Sequence, residues 1–335
     1  MCRAAIIGCG DVSTVHLAAL ATTSDVELVG VCDTDPERLA AATESHGVPG
    51  FADHLALLES VRPDVVHVCT PHSQHASVSV DCLQREVHVI LEKPVAHTLA
   101  EAERLIEVAD PCTAKIAVCF QNRYNTTSQA LHRLLTSGEL GTVRAAAASV
   151  LWHRTGDYYA DRPWRGSWAG GGGGVLMNQA IHTVDLLQWL MGDVTSVSGH
   201  ASTRVLGDVI EVEDTAEFVL EHAAGARSLC YATLAHAVNA PVSLEVVTDQ
   251  ATLSLRGDLT ISFGDGRTEV VAEREAASGG RTHWGVSHEL LIADFYAQLH
   301  SDQPFWIGPR EAYKSLQIVK SVYRQSFPEL AEAIS

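Results

Sequence analysis

The chain has 335 residues, 46% of them hydrophobic, which suffices for one large or two ordinary globular domains. Its formal charge of -18, spread along the sequence, would repel phosphate backbones and anionic membranes, so nucleic acid and membrane partners are not expected. Eight cysteines without a C-x-x-C pair read as reduced thiols of a cytoplasmic protein, and no run of about 18 apolar residues suggests a membrane span or an exported chain.

From Arg3 to about Tyr124, short apolar runs (AAIIG, VELVGVC, DVVHVC, HVILEK, KIAVCF) alternate with amphipathic stretches, the pattern of a parallel sheet covered by helices. Asp35-Pro36-Glu37 suits a helix start and Gly47 its end. After about Asn125 the pattern changes. A helix near Ser128–Leu135 precedes the β-rich runs VRAAAASVLWH, DTAEFVLEH, ARSLCYATLAH, VSLEVVT and ATLSLRG, which suit a largely antiparallel sheet. Helical stretches are expected from about Gly285 to Leu299 and from Pro309 to Arg324. The fold expected is therefore an α/β Rossmann domain with a parallel sheet over residues 1–124. An α+β domain with a large, mostly antiparallel open sheet follows over 125–335, its last helices able to pack back on the first domain.

Ile6-Ile7-Gly8-Cys9-Gly10-Asp11-Val12-Ser13 ends a strand and opens a helix, the context of a dinucleotide-binding turn. Gly8 permits the tight turn, and Gly10 lets a pyrophosphate approach the helix N-terminus; the third small position is Ser13 instead of Gly or Ala. VELVGVC ends in Asp33, about 20 residues on, where a carboxylate accepts from ribose hydroxyls and repels a 2′-phosphate. NAD is therefore favoured over NADP.

Cys69-Thr70-Pro71-His72-Ser73-Gln74-His75 ends the fourth strand and Leu91-Glu92-Lys93-Pro94 the fifth, at the crevice side of an open α/β sheet. The run Gly170–Gly174 leads a helix carrying Asn178, His182 and Asp185, spaced i, i+4, i+7 and thus on one face. With the dinucleotide turn, these segments closely resemble the Gfo/Idh/MocA family of oxidoreductases over essentially the whole chain. The resemblance implies that Lys93 lies beside the nicotinamide and the substrate hydroxyl, and that His182 is the general acid/base. An imidazole that titrates near neutrality suits alcohol oxidation, and an ammonium stabilises a developing alkoxide. Asn178 stands where the family usually has aspartate; an amide orients a hydroxyl but cannot take its proton, which leaves His182, Lys93 or Asp185 for that step.

Trp164 and Arg165 are expected near cofactor or substrate, and Gln121 and Arg123 at the crevice edge after the sixth strand. Cofactor contacts are thus assigned to Gly8, Gly10, Asp11, Val12, Asp33, Thr70, Pro71, His75, Glu92, Lys93, Gln121, Trp164 and Arg165. Substrate contacts are assigned to Lys93, Arg123, Tyr158, Asn178 and His182. His72 and His75 lack a third ligand at suitable spacing, so no metal is expected. The function expected is an NAD-dependent dehydrogenase acting on a secondary hydroxyl of a sugar, sugar derivative or cyclitol, as a homodimer or homotetramer by resemblance. The alternatives are a nucleotide-linked sugar as substrate, for which Arg154, Arg162 and Arg165 are a thin cationic cluster, and a non-catalytic dinucleotide-binding regulator.

Overall fold

The computed structural model describes residues 1–274 and 287–330. Two compact units emerge: Met1–Gln121 with Ser287–Tyr313, and Asn122–Val286 with Lys314–Ser335.

The first unit opens with β1 (Cys2–Ile7), α1 (Ser13–Thr22), β2 (Val26–Cys32) and α2 (Pro36–His46). Asp35 caps α2 by accepting from the backbone N–H of Glu37 and Arg38, and Gly47 ends it in the left-handed conformation at φ 65°. Then come β3 (Gly50–Phe51), α3 (His54–Val61), β4 (Val65–Val68), α4 (His75–Leu83), β5 (His88–Leu91), α5 (Leu99–Ala109) and β6 (Ile116–Val118). The strands form one sheet in the order β3-β2-β1-β4-β5-β6, with every pairing parallel. Helices on both faces explain why β4 and the end of β1 are continuous buried runs and not alternating ones. The strand order reverses between β1 and β4, so the turns leaving those two strands flank the crevice where such sheets bind ligands.

The second unit begins with α6 (Thr126–Ser137), β7 (Val143–Leu151), the short helices α7 (Gly156–Ala160) and α8 (Trp168–Gly171), and α9 (Ile181–Met191). Seven strands follow: β8 (Val194–Ser202), β9 (Thr215–His222), β10 (Arg227–Thr233), β11 (Ser243–Thr248), β12 (Ala251–Arg256), β13 (Asp258–Phe263) and β14 (Thr268–Val271). They make a sheet with β7 in the order β14-β13-β12-β11-β7-β10-β9-β8. All neighbours are antiparallel except β7 and β10. Helix α9 packs on β7 and α6 on β12 to β14, while Leu229, Tyr231, Val247 and Val270 remain exposed.

The sequence pattern does not reveal β3, β8, β13 and β14. The first has two residues, and β8 is a sheet-edge strand rich in Ser and Gly with most of its residues partly or fully exposed, so it lacks the alternation that marks a half-buried strand. Helix α10 (His288–Ala297) falls in the first unit, where it packs against α1. Gly285, where the sequence places the start of that helical stretch, lies outside the described residues, as do residues 331–335 of the expected second domain. Helix α11 (Pro309–Ser326) closes the described chain but for a short turn, Pro328–Leu330.

Candidate active site

Between β1 and α1 the chain makes a turn that only glycine permits at its first position. Gly8 has φ 96°, and a Cβ there would lie 2.6 Å from the Cys69 carbonyl carbon, so the turns after β1 and β4 touch through backbone. Gly10 differs: a Cβ on it would meet nothing within 4 Å, and the space in front of the turn is open. Asp11 and Val12 complete the turn, and no side chain caps the N-terminus of α1. Ser13, the departure from the usual small residue, is buried and donates its hydroxyl to the Gly10 carbonyl at 2.6 Å, so the loop itself satisfies it.

Asp33 follows β2 and is locked against this turn. One carboxylate oxygen accepts from the Cys9 N–H at 2.7 Å and the other from the Asp35 N–H at 2.8 Å. Each oxygen keeps a lone pair for a further donor. The Thr70 hydroxyl, at the end of β4, is buried with no hydrogen-bond partner among the described residues. An open glycine turn, an uncapped helix start, an oriented carboxylate and an orphaned hydroxyl fit a dinucleotide.

Two assigned cofactor contacts face elsewhere in the structure. His75 is 1% exposed, and its ring nitrogens lie 2.7 Å from the Pro94 carbonyl and 2.9 Å from the Thr70 carbonyl. It ties the turn after β4 to the turn after β5, which leaves no ring nitrogen for a cofactor; burial lowers its pKa despite these carbonyls. Glu92 is also buried, and its carboxylate points into the protein interior, toward His16 and His288. Pro71 precedes the short turn that starts α4, and Lys93, half-buried, precedes a cis bond to Pro94. Gln121 is buried at the start of the 3-10 turn after β6.

In the second unit, Tyr158 on α7 organises the aromatic and cationic segment. The Arg165 guanidinium lies 4.5 Å from its ring centre and that of Arg154 lies 5.1 Å away. Its hydroxyl is 3.3 Å from both Asn178 Nδ2 and Gln179 Nε2. Trp164, in a 3-10 turn over Pro163–Gly166, is half-buried, with the Arg165 guanidinium 5.7 Å from its ring.

Asn178 sits in a π-helical turn, Leu176–Ala180, immediately before α9. Such turns insert a residue into the helical repeat and recur at functional sites. The three residues of the expected single face meet different surroundings. His182 remains half-buried, whereas Asp185 is 1% exposed and forms a two-pronged ion pair with Arg123, at 2.8 Å to Nε and 2.7 Å to Nη2. Ser315 donates a third bond to Asp185 at 3.0 Å. Arg123, equally buried, is thereby directed to Asp185, an engagement that the sequence does not announce for either residue; a carboxylate that accepts three donors in a dry pair is a poor proton carrier.

The sequence pattern gives no sign of Glu213, the group on which the start of this segment rests. A Cβ on Gly174 would lie 1.8 Å from the Glu213 carbonyl oxygen, so only glycine allows the approach. The Glu213 carboxylate accepts from Gly174 N–H at 2.8 Å, Leu176 N–H at 2.9 Å and the Tyr323 hydroxyl at 2.6 Å. Burial outweighs these three bonds and pushes its pKa up to about 7. A carboxyl that binds its proton more tightly when folded lends stability that is present below the ordinary value of 4.5 and lost as pH rises through about 7. The unfolding free energy of the wild type is thus expected to fall by about 3 kcal/mol relative to Glu213→Gln between pH 4.5 and 8. Urea unfolding at both pH values checks this, and a pH-independent difference would contradict it.

Comparison with known proteins matches residues 2–120 to the oxidoreductase family model with an NAD-binding Rossmann fold, and residues 128–254 to the GFO/IDH/MocA C-terminal domain. The D-apiose dehydrogenase of Paraburkholderia graminis is 28% identical over 334 residues, covering 96% of this chain and 86% of that protein. The D-glucoside 3-dehydrogenase of Escherichia coli is 33% identical over 211 residues, 61% of this chain and 58% of that one. Among solved structures, the WlbA dehydrogenase from Bordetella pertussis in complex with NADH and UDP-GlcNAcA superposes with a TM-score of 0.84 at 29% identity, covering 97% of this chain and 96% of the other.

Proposed function

Because the chain belongs to the GFO/IDH/MocA family of NAD-binding oxidoreductases, we propose that it moves a hydride between nicotinamide and the hydroxyl-bearing carbon of a sugar or cyclitol. The observation that carries this reading is the dinucleotide turn with Asp33 locked across it, in a chain that also holds Lys93 at the end of β5 and the π turn with Asn178 before His182. Bound nicotinamide supplies the hydride acceptor.

The backbone after Gly10 receives the pyrophosphate and Asp33 the ribose hydroxyls. The fixed negative charge of Asp33 disfavours a 2′-phosphate, so NAD is the preferred form. As the alcohol loses hydride from carbon, its oxygen develops negative charge. The Lys93 ammonium stabilises that charge, and His182 takes the hydroxyl proton. Asn178 orients a substrate hydroxyl through its amide, itself placed by the Tyr158 hydroxyl. Both a lysine and a histidine suited to this step distinguish the chain from a dinucleotide-binding regulator, which needs neither. A nucleotide-linked sugar is the weaker reading: Arg154 and Arg165 both lie over Tyr158, and so are engaged by an aromatic ring and not gathered as a diphosphate clamp.

Thermal unfolding with NAD, NADP or neither tests the cofactor assignment: a bound dinucleotide at 100 times its Kd adds about 2.7 kcal/mol of stability, and NAD is expected to give the larger rise. A panel of D-apiose, myo-inositol, D-glucosides and a UDP-sugar, followed by reduced-nicotinamide absorbance, tests the substrate class. A larger rise with NADP refutes the preference, and turnover confined to the UDP-sugar refutes the free-sugar reading.

A further inference from the structure

Beneath the strand ends of the first unit runs a chain of polar groups that the proposed reaction does not use. The half-buried Tyr296 on α10 places its hydroxyl 2.9 Å from Nε2 of His67, in the middle of the central strand β4. Nδ1 of His67 lies 2.8 Å from Nδ1 of His16 on α1, and Nε2 of His16 lies 2.9 Å from Oε1 of Glu92. His288 approaches the same oxygen with Nε2 at 3.2 Å, and the Lys93 N–H lies 3.3 Å from the other carboxylate oxygen. His16 and His67 are wholly buried, and Glu92 and His288 are 5% and 4% exposed.

The proton positions in this chain determine one another. An ionised carboxylate only accepts, so His16 donates from Nε2 and, being neutral, accepts at Nδ1. His67 must then donate from Nδ1 and accept at Nε2, which requires the Tyr296 hydroxyl to donate. Every bond points toward Glu92. Burial, then the neighbouring His16, keeps His67 neutral; His16 is likewise kept neutral by burial, against the pull of Glu92. Burial also opposes the charge on Glu92, but the bonds from His16 and His288 prevail and hold its pKa well below the carboxylate range. Other titratable groups that feel the Glu92 charge are the thiols of Cys119 and Cys69, which burial first and that charge second keep protonated, and His75, whose pKa burial lowers against the pull of Glu92. The 2.9 Å between His16 and Glu92 is a hydrogen-bond length, shorter than the edge of about 3.3 Å between two ligands of one tetrahedral zinc.

We infer that Tyr296, His67 and His16 form a proton wire that leads from the half-buried Tyr296 hydroxyl to Glu92 and lets that ionised carboxylate, which precedes Lys93 in the chain, take up a proton transiently. Transfer toward Glu92 moves His16 Nε2–H to Glu92, His67 Nδ1–H to His16 Nδ1 and the Tyr296 proton to His67 Nε2. The phenol oxygen takes a proton from water in the same step, so that no phenolate, which burial disfavours, is left behind. The end state has Glu92 protonated, both histidines in the opposite tautomer and Tyr296 unchanged, with one proton taken from solvent. The reverse sequence returns that proton to solvent. The wire does not depend on the proposed activity, whereas its use in turnover rests on it. Tyr296, His67 and His16 are positioning residues in this scheme.

Two-bond 1H–15N correlation spectra of the 15N-histidine-labelled wild-type protein test the wire without substrate. The proton is expected on Nδ1 of His67 and on Nε2 of His16 and His288, with no change on adding EDTA. The opposite tautomers, an imidazolium at His16 or His67, or bare Nε2 atoms on His16 and His288 that gain protons with EDTA, as a bound metal would produce, each overturn it. Tyr296→Phe keeps the ring and removes the entry hydroxyl. With the fastest substrate of the sugar panel, it is expected to lower kcat by about tenfold and to raise the solvent deuterium isotope effect, with NAD affinity unchanged. An unaltered kcat and isotope effect in a variant of native circular dichroism overturn the wire's part in turnover. Failure of every substrate in the panel would count against the proposed function, while the histidine spectra decide the wire independently of it.

Discussion

Lys93→Met and His182→Asn are each expected to slow hydride transfer by about 10²- to 10⁴-fold, with NADH affinity little changed. Methionine keeps the unbranched stem of Lys93 and deletes only the charge that faces a developing alkoxide. Asparagine keeps a polar group at His182 and deletes the basic nitrogen. In stopped-flow mixing of the enzyme with NAD and its substrate, the hydride step reads out at the nicotinamide absorbance, separately from product release. The two variants are also expected to differ with pH. Without the imidazole, the rate should rise steadily with pH as hydroxide substitutes for the missing base; without the ammonium, the wild-type acid limb should persist. Full single-turnover rates in either variant would remove that residue from the proposed chemistry.

The largest structural effect is expected at Arg123. Arg123→Met leaves the Asp185 carboxylate buried at 1% exposure with only the Ser315 hydroxyl and its remaining neighbours to compensate it, a loss of about 3 to 5 kcal/mol. Removing both charges, as Arg123→Met with Asp185→Leu, should recover most of that, because the cost lies in the uncompensated charge and not in the missing attraction. Urea unfolding of the single and double variants measures the difference. A double variant as unstable as the single one would show that the pair contributes through shape, including the packing of Arg123 over Trp189 at 5.4 Å. The same experiment separates a supporting role from a catalytic one, since a double variant that turns over at the wild-type rate has no need of Asp185 as proton carrier.

Much of the first unit's part in the site is legible in the sequence because the features are local. Gly8 must be glycine since its backbone is left-handed and abuts Cys69, and Asp35 followed by Pro36 starts a helix whatever the rest of the chain does. The pattern fails where a residue's partner lies far along the chain. A carboxylate at position 185 looks available on a helical wheel, and nothing near it in sequence announces Arg123, 62 residues earlier. Periodicity also says nothing of surroundings: His182 and Asp185 lie three apart in the same α-helix, yet one is half-buried and the other is sealed against Arg123. One local signal does point to the buried polar chain. His67 interrupts the otherwise apolar strand VVHV, and a polar ring there must find buried partners.

The order of the elements, the dinucleotide turn, the carboxylate at Asp33 and the glycine-led segment before His182 are all set by the amino-acid sequence, since each follows from backbone sterics or from hydrogen bonds within a few residues. Which polar side chains stand in the interior, and with whom, emerges only on folding: Arg123 with Asp185, Glu213 with Gly174 and Tyr323, and Tyr296, His67 and His16 in line toward Glu92. The reason is physical. A buried polar group is stable only when its bonds are made, and folding brings those partners from anywhere in the chain.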